Sequence, residues 1–487
     1  MSSGTCSLIL LATLVVGCAR AEPAAPATPR RVVLVVLDSW RADRLGALGY
    51  PRALTPRLDA LVEQGLFFER AYAASSFGPQ ALSALWTGRL PSEGGSTGTE
   101  AVPHPTLVTL PRLFLRAGFR TALATNLAGL RARGFTRGFD ELEIDSVPGR
   151  WSGALVTEKA LDLVDGAEGK PLFLVVDYAD AGEPHQPPAA LRRKIDVPVP
   201  EEPLTLAAVR AEVGALPPDL ARAPAFQDLL ARYDAEVAYV DQCLGELIDG
   251  LAARGLLDGT LLVVTASHGV EFLEHGYVGS GWTLYEEVLR VPLVVCAPER
   301  LDPGRVTAPV SVAGLFASLQ RMFVHGPADA ELDARALFEL VGERIVACPP
   351  PAGVLAELVL PELCVLRASI QGHEKLVEVL QSAVPGERVA LLKSYEERLA
   401  RIQRGEAQPG DPLGPASRRE LYDLEHDPRE TRDLATTAAG RVALIAESLA
   451  RYIELARTSG LKPAETQPRA DEGEPAALDE LRQIGYL

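Results

Sequence analysis

Five runs of apolar, largely β-branched residues recur along the first two thirds of the chain. They are Arg31–Asp38, Arg120–Asn126, Pro171–Asp180, Thr260–His268 and Val291–Pro298. Near-continuous apolar runs are typical of strands that are covered on both faces of a sheet. Stretches with helical spacing lie between these runs, at Leu58–Gly65, Thr109–Ala117 and Asp228–Arg254. This alternation predicts an α/β domain whose sheet carries helices on both faces.

The pattern changes after about residue 330, where shorter elements predict a smaller α+β domain. Arg344–Cys348 and Leu363–Ile370 have the composition of strands. Glu387–Arg404 has apolar residues spaced three and four apart, which predicts an amphipathic helix. We therefore divide the folded chain into a large domain, residues 31–328, and a small C-terminal domain, residues 329–487.

The N-terminus has the pattern of an export signal. The apolar run Leu8–Val16 is shorter than the ~20 residues that a membrane span needs. It is followed by Gly17 and Cys18, an arrangement that resembles a bacterial lipoprotein signal, in which the cysteine is lipidated. We expect a signal peptide over residues 1–17 and a Pro/Ala linker over residues 18–30. The protein would then be exported and anchored through Cys18 to a bacterial membrane, on its periplasmic or cell-surface face.

Composition removes some classes of function. The 487 residues include 48 Lys plus Arg and 65 Asp plus Glu, a formal charge of −17, which argues against a nucleic-acid partner. Hydrophobic residues make up 47% of the chain, as in ordinary globular proteins. The cysteines after Cys18 match no zinc motif. Two of them, Cys348 and Cys364, either pair across a loop or lie buried as small apolar side chains.

Polar residues stand at the ends of several predicted strands: Asp38 and Ser39, Asn126, Asp180, and Ser267 and His268. Open α/β sheets bind their ligands beyond the carboxyl ends of the strands. We therefore expect a site at this edge of the sheet.

Several segments, in order along the chain, resemble the sulfatase family. These are Val35–Tyr50 (VVLDSWRADRLGALGY), Thr55–Leu61 (TPRLDAL), Phe68–Tyr72 (FERAY), Ser267–Gly276 (SHGVEFLEHG), Thr283–Glu287 (TLYEE), Arg290–Leu293 (RVPL), Glu420–Thr431 (ELYDLEHDPRET) and Ile484–Leu487 (IGYL). The resemblance implies a fold of the alkaline phosphatase superfamily. In that fold a large mixed, mostly parallel sheet lies between helices, beside a smaller C-terminal α+β domain.

The same resemblance implies a chemistry. Sulfatases hydrolyse sulfate esters with a formylglycine that is made from Cys or Ser at the N-terminus of a helix. A divalent cation, usually calcium, is held there by acidic side chains together with Asn, Gln or His. Basic side chains bind the sulfate group and protonate the leaving group.

The nucleophile segment departs from this pattern. The chain reads SSFGPQALSALWTG over Ser75–Gly88. Alignment without gaps places Gly78 at the nucleophile position and Leu82 at that of the neighbouring Arg, whereas alignment on Pro79 places Phe77 at the nucleophile position. Neither register supplies an oxidisable side chain. Ser76 is a candidate only if the backbone is shifted toward the site.

The implied metal site is also depleted. Asp38 matches the first acidic ligand, while Ser39 stands at the next ligand position. Ser267 replaces the Asp of the Asp-His-Gly motif, and His268 remains. Calcium takes six to eight oxygen ligands, several of them charged, so we expect calcium or another divalent cation to bind weakly or not at all.

Basic groups of the implied sulfate site are missing as well. Gly182 stands where relatives carry the His of Asp-Pro-His, and His185 is a candidate substitute. No basic residue precedes Thr283 over Gly279–Trp282. His268 and His275, with Glu271 and Glu274 between them, suggest zinc by composition, but their spacing fits neither familiar His/Glu zinc-protease pattern.

Three hypotheses of function follow. In the first, the chain is an impaired sulfatase that binds a sulfated or phosphorylated glycan, or another envelope protein, in the old cleft. In the second, it is an active metal-dependent sulfate or phosphate ester hydrolase whose site is rearranged around Ser75, Ser76 or an activated water. A phosphotransferase or phosphodiesterase of the same superfamily ranks last, because Gly78 and Ser267 oppose it equally.

Overall fold

The structure is a computed structural model of the whole chain. It describes residues 28–145 without 128 and 132, residues 152–192 without 184, and residues 224–324, 330–360, 364–382, 418–458 and 461. Within this part of the chain, no helix is both long enough and apolar enough to cross a membrane. The predicted signal with Cys18, the predicted helix Glu387–Arg404 and the closing segment Ile484–Leu487 lie outside the described residues.

A mixed, mostly parallel sheet of eight strands organises the large domain. In spatial order its strands are β12 (Gly304–Val306), β2 (Leu66–Phe68), β11 (Leu293–Cys296), β7 (Thr260–Ala266), β1 (Arg31–Leu37), β6 (Leu172–Tyr178), β4 (Arg120–Thr125) and β5 (Glu141–Ile144). The central strand β1 pairs in parallel with both β6 and β7. All seven residues of β6 and of β7 are buried, as their unbroken apolar runs predict.

Helices pack on this sheet. The α-helices are α1 (Pro56–Gln64), α2 (Gly78–Thr87), α3 (Pro91–Gly94), α4 (Leu110–Arg116), α5 (Gly153–Gly166), α6 (Ala189–Arg192), α7 (Pro224–Ala253), α8 (Glu286–Leu289), α9 (Gly314–Phe323), α10 (Ala330–Asp333) and α11 (Ala439–Thr458). Short 3-10 helices lie at Ala42–Arg44, Gly46–Leu48 and Leu257–Gly259. One apolar core extends from the central strands into the C-terminal part of the chain.

The remaining strands form smaller sheets. A three-stranded sheet contains β3 (Ala71–Tyr72), β10 (Arg290–Val291) and β13 (Val310–Ser311). Two pairs of strands are β8 (Glu271–Phe272) with β9 (Val278–Gly279), and β14 (Phe338–Val341) with β15 (Arg344–Ala347). A four-stranded antiparallel sheet contains β16 (Val354–Leu360), β17 (Cys364–Gln371), β18 (Glu374–Ser382) and β19 (Arg418–Asp423). Helix α11 contacts β17 and β18 of the last sheet. An antiparallel sheet with a helix agrees with the predicted C-terminal α+β fold.

The predicted strands and helices that fall within the described residues are confirmed to within a few residues, with one exception. The run Val291–Pro298 is divided between two sheets, because Pro292 has no N–H group to continue a ladder. Residue 291 closes β10, and β11 begins at Leu293. Cys348 is a free, half-buried thiol that accepts a hydrogen bond from the Arg321 guanidinium at 3.5 Å.

Candidate active-site cleft

The carboxyl ends of β1 and β7 bring together the four residues predicted at the metal position. The Ser267 hydroxyl donates to Asp38 Oδ1 at 2.6 Å, and the Ser39 hydroxyl donates to Asp38 Oδ2 at 3.3 Å. His268 Nε2 lies 3.7 Å from Asp38 Oδ1, while its Nδ1 donates to the Gly269 carbonyl at 2.8 Å. All four side chains are buried. The prediction that these residues meet at one edge of the sheet is therefore correct.

Helix α2 points its N-terminus at the same place. It begins at Gly78, with Phe77 as its N-cap and Pro79 in its first turn. Proline suits a first turn because the missing N–H would lack an intrahelical partner there. The helix ends at Gly88, whose φ of 70° is the left-handed conformation that glycine adopts at little cost. The sequence thus preserves the helix of the nucleophile position.

A small cavity of about 30 Å³ lies between this helix and the strand ends. Its lining is mostly apolar, with a few polar groups. The lining residues are Val36, Asp38, Gly78, Pro79, Leu82, Leu127, Gly129, Leu130, Arg133, Phe135, Asp177 and Ser267. Gly78 and Leu82 both face it, as in the register without gaps. Phe77 is not among its lining residues.

Asp177 is a site residue that the sequence reasoning missed. It lies inside β6, where it is the register partner of Val36, and it lines the cavity beside Asp38. Its Oδ2 accepts a hydrogen bond from the Thr125 hydroxyl at 3.0 Å. Burial, with a further contribution from the Asp38 carboxylate, raises the pKa of Asp177 to about 8. An acidic residue inside an otherwise apolar strand, FLVVDY, was the signal that could have revealed it.

The loop after β6 also reaches the cleft. A Cβ atom on Gly182 would lie 3.7 Å from Ser39 Oγ and 3.8 Å from Asp38 Oδ2. Gly182, at which the resemblance implies a missing histidine, therefore lies beside Ser39 and Asp38. Two hydrogen bonds hold the Asp180 side chain in place beside it. The Asn126 side-chain amide donates to Asp180 Oδ2, and the Gly153 backbone N–H donates to Asp180 Oδ1, both at 2.8 Å.

His185 lies buried against α7 and not among the cavity residues. Its Nδ1 is 2.7 Å from Glu236 Oε2, and its ring packs near Tyr233 and Phe272. Its Nε2 has no hydrogen-bond partner within the described part of the chain. Burial lowers the pKa of His185, but the Glu236 carboxylate outweighs this effect and the net pKa is raised. Burial raises the pKa of Glu236 to about 7.

Ser76 is completely buried beside the start of α2. Its hydroxyl has no hydrogen-bond partner among the residues that the structure describes, and Ser76 does not line the cavity. The neighbouring Ser75 hydroxyl donates to Gln80 Oε1 at 3.2 Å and accepts from the Phe77 N–H at 3.2 Å. Ser75 therefore stabilises the turn into the helix.

The segment before Thr283 approaches the cleft through Gly281. A Cβ atom there would lie 3.1 Å from the Phe77 ring, so the residue packs against the N-cap of α2. Its φ of 78° is again the left-handed region that glycine tolerates. Phe77 thus fills space next to the helix N-terminus on the side where relatives place a basic group.

Glu271, His275 and Glu287 form a separate cluster whose ligand atoms lie within 4.8 Å of one another. His275 Nδ1 is 2.6 Å from Glu287 Oε1, and its Nε2 is 3.2 Å from the Glu430 carbonyl oxygen. Burial lowers the pKa of His275, but its contacts with Glu287 outweigh this effect and the net pKa is raised. Both ring nitrogens therefore act as donors between two oxygens. Of the four residues that suggest zinc by composition, Glu271 and His275 meet in this cluster, whereas His268 lies with Asp38.

Comparison with known proteins identifies the family. The sulfatase family model matches residues 30–323, more than half of the chain. The chain belongs to the sulfatase family. Its relatives include the uncharacterized sulfatase YidJ of Escherichia coli, 21% identical over 369 residues, which are 67% of this chain and 72% of that protein. An N-acetylglucosamine-6-O-sulfatase of Bacteroides thetaiotaomicron is 20% identical over 399 residues, covering 64% and 71% respectively.

Solved structures of this family share the fold. A putative sulfatase YidJ from Bacteroides fragilis aligns with a TM-score of 0.67 at 17% identity, over 90% of this chain and 98% of that one. A protein in complex with its substrate D-glucosamine-2-N,6-O-disulfate aligns with a TM-score of 0.64 at 15% identity, over 90% and 99%. At this level of identity the likeness establishes the architecture, which includes the C-terminal sheet.

The residues at the metal position of this sulfatase-family chain do not fit the family's calcium site. Asp38 supplies one carboxylate, and hydroxyls of Ser39 and Ser267 occupy the other ligand positions. Both Asp38 oxygens already accept hydrogen bonds from those hydroxyls. Calcium affinity depends on several charged oxygen ligands, which this set lacks. We therefore derive no reaction step that passes through a cation.

Proposed function

We propose that this chain is a sulfatase-family protein that binds a glycan without hydrolysing a sulfate ester. The observation that carries the proposal is the start of α2, where Gly78 and Leu82 line the cavity. A glycine side chain cannot be converted to formylglycine or attack sulfur. Leucine cannot stabilise the negative charge of a transition state. Loss of a covalent nucleophile or of a charge stabiliser each lowers a rate by orders of magnitude.

The residues at the metal position, which are separate from those of α2, support the same proposal. Asp38 is held by two serine hydroxyls with Ser267 Oγ at 2.6 Å, a self-contained hydrogen-bonded group. Gly182 leaves the neighbouring histidine position without a side chain. Reactive groups of the family's site are thus absent from the loops after three strands, β1, β6 and β7.

The proposed ligand class comes from the relatives. Proteins similar to this chain include an N-acetylglucosamine-6-O-sulfatase and one bound to a sulfated glucosamine. A cleft of this family that no longer turns over substrate would retain affinity for a carbohydrate. We further propose that the protein is exported and anchored through Cys18, which would present the cleft to glycans or proteins of a bacterial envelope.

The proposal is tested with the full chain purified in mild detergent. Hydrolysis of 4-nitrophenyl sulfate and of N-acetylglucosamine 6-sulfate is measured beside an Asp38→Ala variant and an active sulfatase. Saturation-transfer NMR then reports binding of N-acetylglucosamine and of its 6-sulfate. We expect binding of sugar and no turnover above that of Asp38→Ala. Turnover that requires Asp38 would overturn the proposal.

An active hydrolase with a rearranged site is the second candidate, because the Ser76 hydroxyl is buried without a partner among the described residues. Such a hydroxyl is available as a nucleophile if the loop before α2 moves. This candidate predicts that Ser76→Ala abolishes any turnover while Ser83→Ala, a buried hydroxyl within α2, preserves it.

A further inference from the structure

The cavity has the wrong charges for a sulfate group. Two of its lining residues, Asp38 and Asp177, carry carboxyl groups, and Arg133 is the single cationic residue among its described lining residues. Arg133 is half-buried, and its Nη1 donates to the Thr99 carbonyl at 3.2 Å. Leu82 stands where the sulfate-binding Arg is expected. The positive end of α2 therefore faces the Asp38 carboxylate, and Asp177, whose pKa burial raises to about 8, adds a carboxyl group to the same lining.

We infer that the cavity recognises a free hydroxyl group of a sugar, and that the protein prefers the unsulfated glycan to the sulfated one. The inference rests on the proposed glycan-binding function and specifies which group occupies the position of the former sulfate. It assigns Asp38 and Ser267 to the recognition of that hydroxyl.

Hydrogen-bond chemistry favours a hydroxyl. A sugar hydroxyl both donates and accepts. It can donate to Asp38 Oδ1 in place of the Ser267 hydroxyl, which now makes that bond at 2.6 Å, and accept from the Ser267 hydroxyl so released. A sulfate ester offers only acceptor oxygens and a negative charge. Sulfate oxygens facing the Asp38 carboxylate in a buried space would leave acceptors unpaired and place like charges together, and both effects cost binding free energy.

The apolar lining residues can pack against the C–H groups of a sugar. Leu82, Leu130 and Phe135 are nearly inaccessible to solvent and surround the polar end of the cavity with C–H surface. Small-molecule sites in general combine a few directed polar groups with apolar walls in this way. The half-buried residues Leu127, Gly129 and Arg133 mark the side that is nearest to solvent.

The test compares two sugars that differ in this one group. Affinities of the full chain for N-acetylglucosamine and N-acetylglucosamine 6-sulfate are measured by titration NMR at pH 7 and fixed ionic strength. We expect the unsulfated sugar to bind at least about tenfold more tightly, equivalent to ~1.4 kcal/mol. A thermal melt of every variant verifies folding.

Two variants shift the preference if the inference is correct. Leu82→Arg restores a cation at the cavity and is expected to reduce the ratio several-fold or reverse it. Leu115→Arg is the matched control, because this leucine of α4 is 45% exposed and does not line the cavity. Asp38→Asn, nearly isosteric, removes the carboxylate from the cavity and is expected to lower the ratio even if Leu82→Arg fails to fold.

The outcomes separate this inference from the proposed function. Tighter binding of the unsulfated sugar, with a ratio that falls in Asp38→Asn and not in Leu115→Arg, supports the inference. Equal or tighter binding of the sulfated sugar overturns it while the glycan-binding function stands. If neither sugar binds, the proposed function fails and this inference fails with it.

Discussion

At the scale of single residues, hydrogen bonds hold the polar groups of the cleft together. The Ser267 hydroxyl donates to Asp38 Oδ1. This contact joins the ends of β1 and β7, whose register partners are Leu37 and Ala266.

Loss of the Ser267 hydroxyl is therefore expected to destabilise the fold. Ser267→Ala removes a hydrogen bond to a buried carboxylate and should lower the free energy of unfolding by about 1 to 3 kcal/mol. Ser39→Ala, whose hydroxyl is 3.3 Å from Asp38, is the matched control and should cost less. Denaturant unfolding of both variants measures the difference. Equal stability of Ser267→Ala and the wild type would contradict the assignment.

Asp177 predicts a pH dependence of stability. Its pKa is raised from 3.8 to about 8 in the folded chain by burial and by Asp38, so the folded state holds a proton that the unfolded state releases above pH 4. Stability should therefore fall as pH rises from about 4 to about 8, with this group contributing at most ~1.4 kcal/mol per pH unit. Asp177→Asn should flatten this slope in chemical denaturation. An unchanged slope would show that Asp177 titrates normally.

Whether the sequence reveals a site residue depends on the apolar and polar residues around it in the chain. Asp38, Ser39, Ser267 and His268 follow long apolar strands, so their place at one sheet edge was predictable. Asp177 was missed because it lies within a strand whose apolar run appeared uninterrupted. His185 was offered as a substitute for the missing histidine from its distance in sequence. The loop after β6 instead turns it against Glu236 on α7.

At the scale of elements, helix α2 links the cleft to the C-terminal sheet. The Gln80 side chain donates to the Val359 carbonyl at 2.7 Å and accepts from the Val359 N–H at 3.1 Å. An amide side chain thus completes the backbone bonding of β16. The contact holds the first turn of α2, and with it Gly78, against the small sheet.

Removal of this amide should loosen both elements. Gln80→Leu leaves the Val359 N–H without its partner, while the Val359 carbonyl keeps the Gly98 N–H at 2.8 Å, so the substitution is expected to cost about 1 to 3 kcal/mol. Gln242→Leu is the control, because Gln242 is an exposed residue of α7. Thermal unfolding and amide exchange of Val359 report the effect. Unaltered exchange at Val359 would refute the bridging role.

The sequence predicted the larger elements well because their patterns are long and simple. The strands β1, β4, β6 and β7 and the helices α1, α4 and α7 agree with apolar runs or helical spacing to within a few residues. Short elements such as β2 and β12 carry too few residues for a period to appear. The division between β10 and β11 depends on one proline and on which sheet each segment joins, which is a tertiary effect.

At the scale of the molecule, buried ion pairs join the large domain to the C-terminal sheet. The ammonium of Lys375 on β18 lies 3.1 Å from Glu286 Oε1 on α8 and 2.9 Å from Glu430 Oε1. Lys375 and Glu430 are fully buried. Burial raises the pKa of Glu430 to about 7, against the opposing effect of Lys375.

Lys375→Met should release the C-terminal sheet selectively. It leaves the buried Glu430 and the half-buried Glu286 carboxyl groups without their cation, and breaking the buried Lys375–Glu430 pair in this way costs about 3 to 5 kcal/mol. Hydrogen exchange should increase in β18 and β19 while β1 and β7 stay protected. Lys159→Met, a half-buried lysine of α5, is the control and should change neither region. Equal loss of protection in both sheets would contradict selective release.

The measurement that tests the central claim most directly is metal content, because it requires no knowledge of the substrate. The full chain is equilibrated with calcium, magnesium or zinc, dialysed, and analysed by mass spectrometry beside Asp38→Ala and Ser39→Asp/Ser267→Asp. The account predicts no stoichiometric ion in the wild type, and about one calcium per chain in the double variant, where three carboxylates converge. About one ion per wild-type chain, lost in Asp38→Ala, would contradict it.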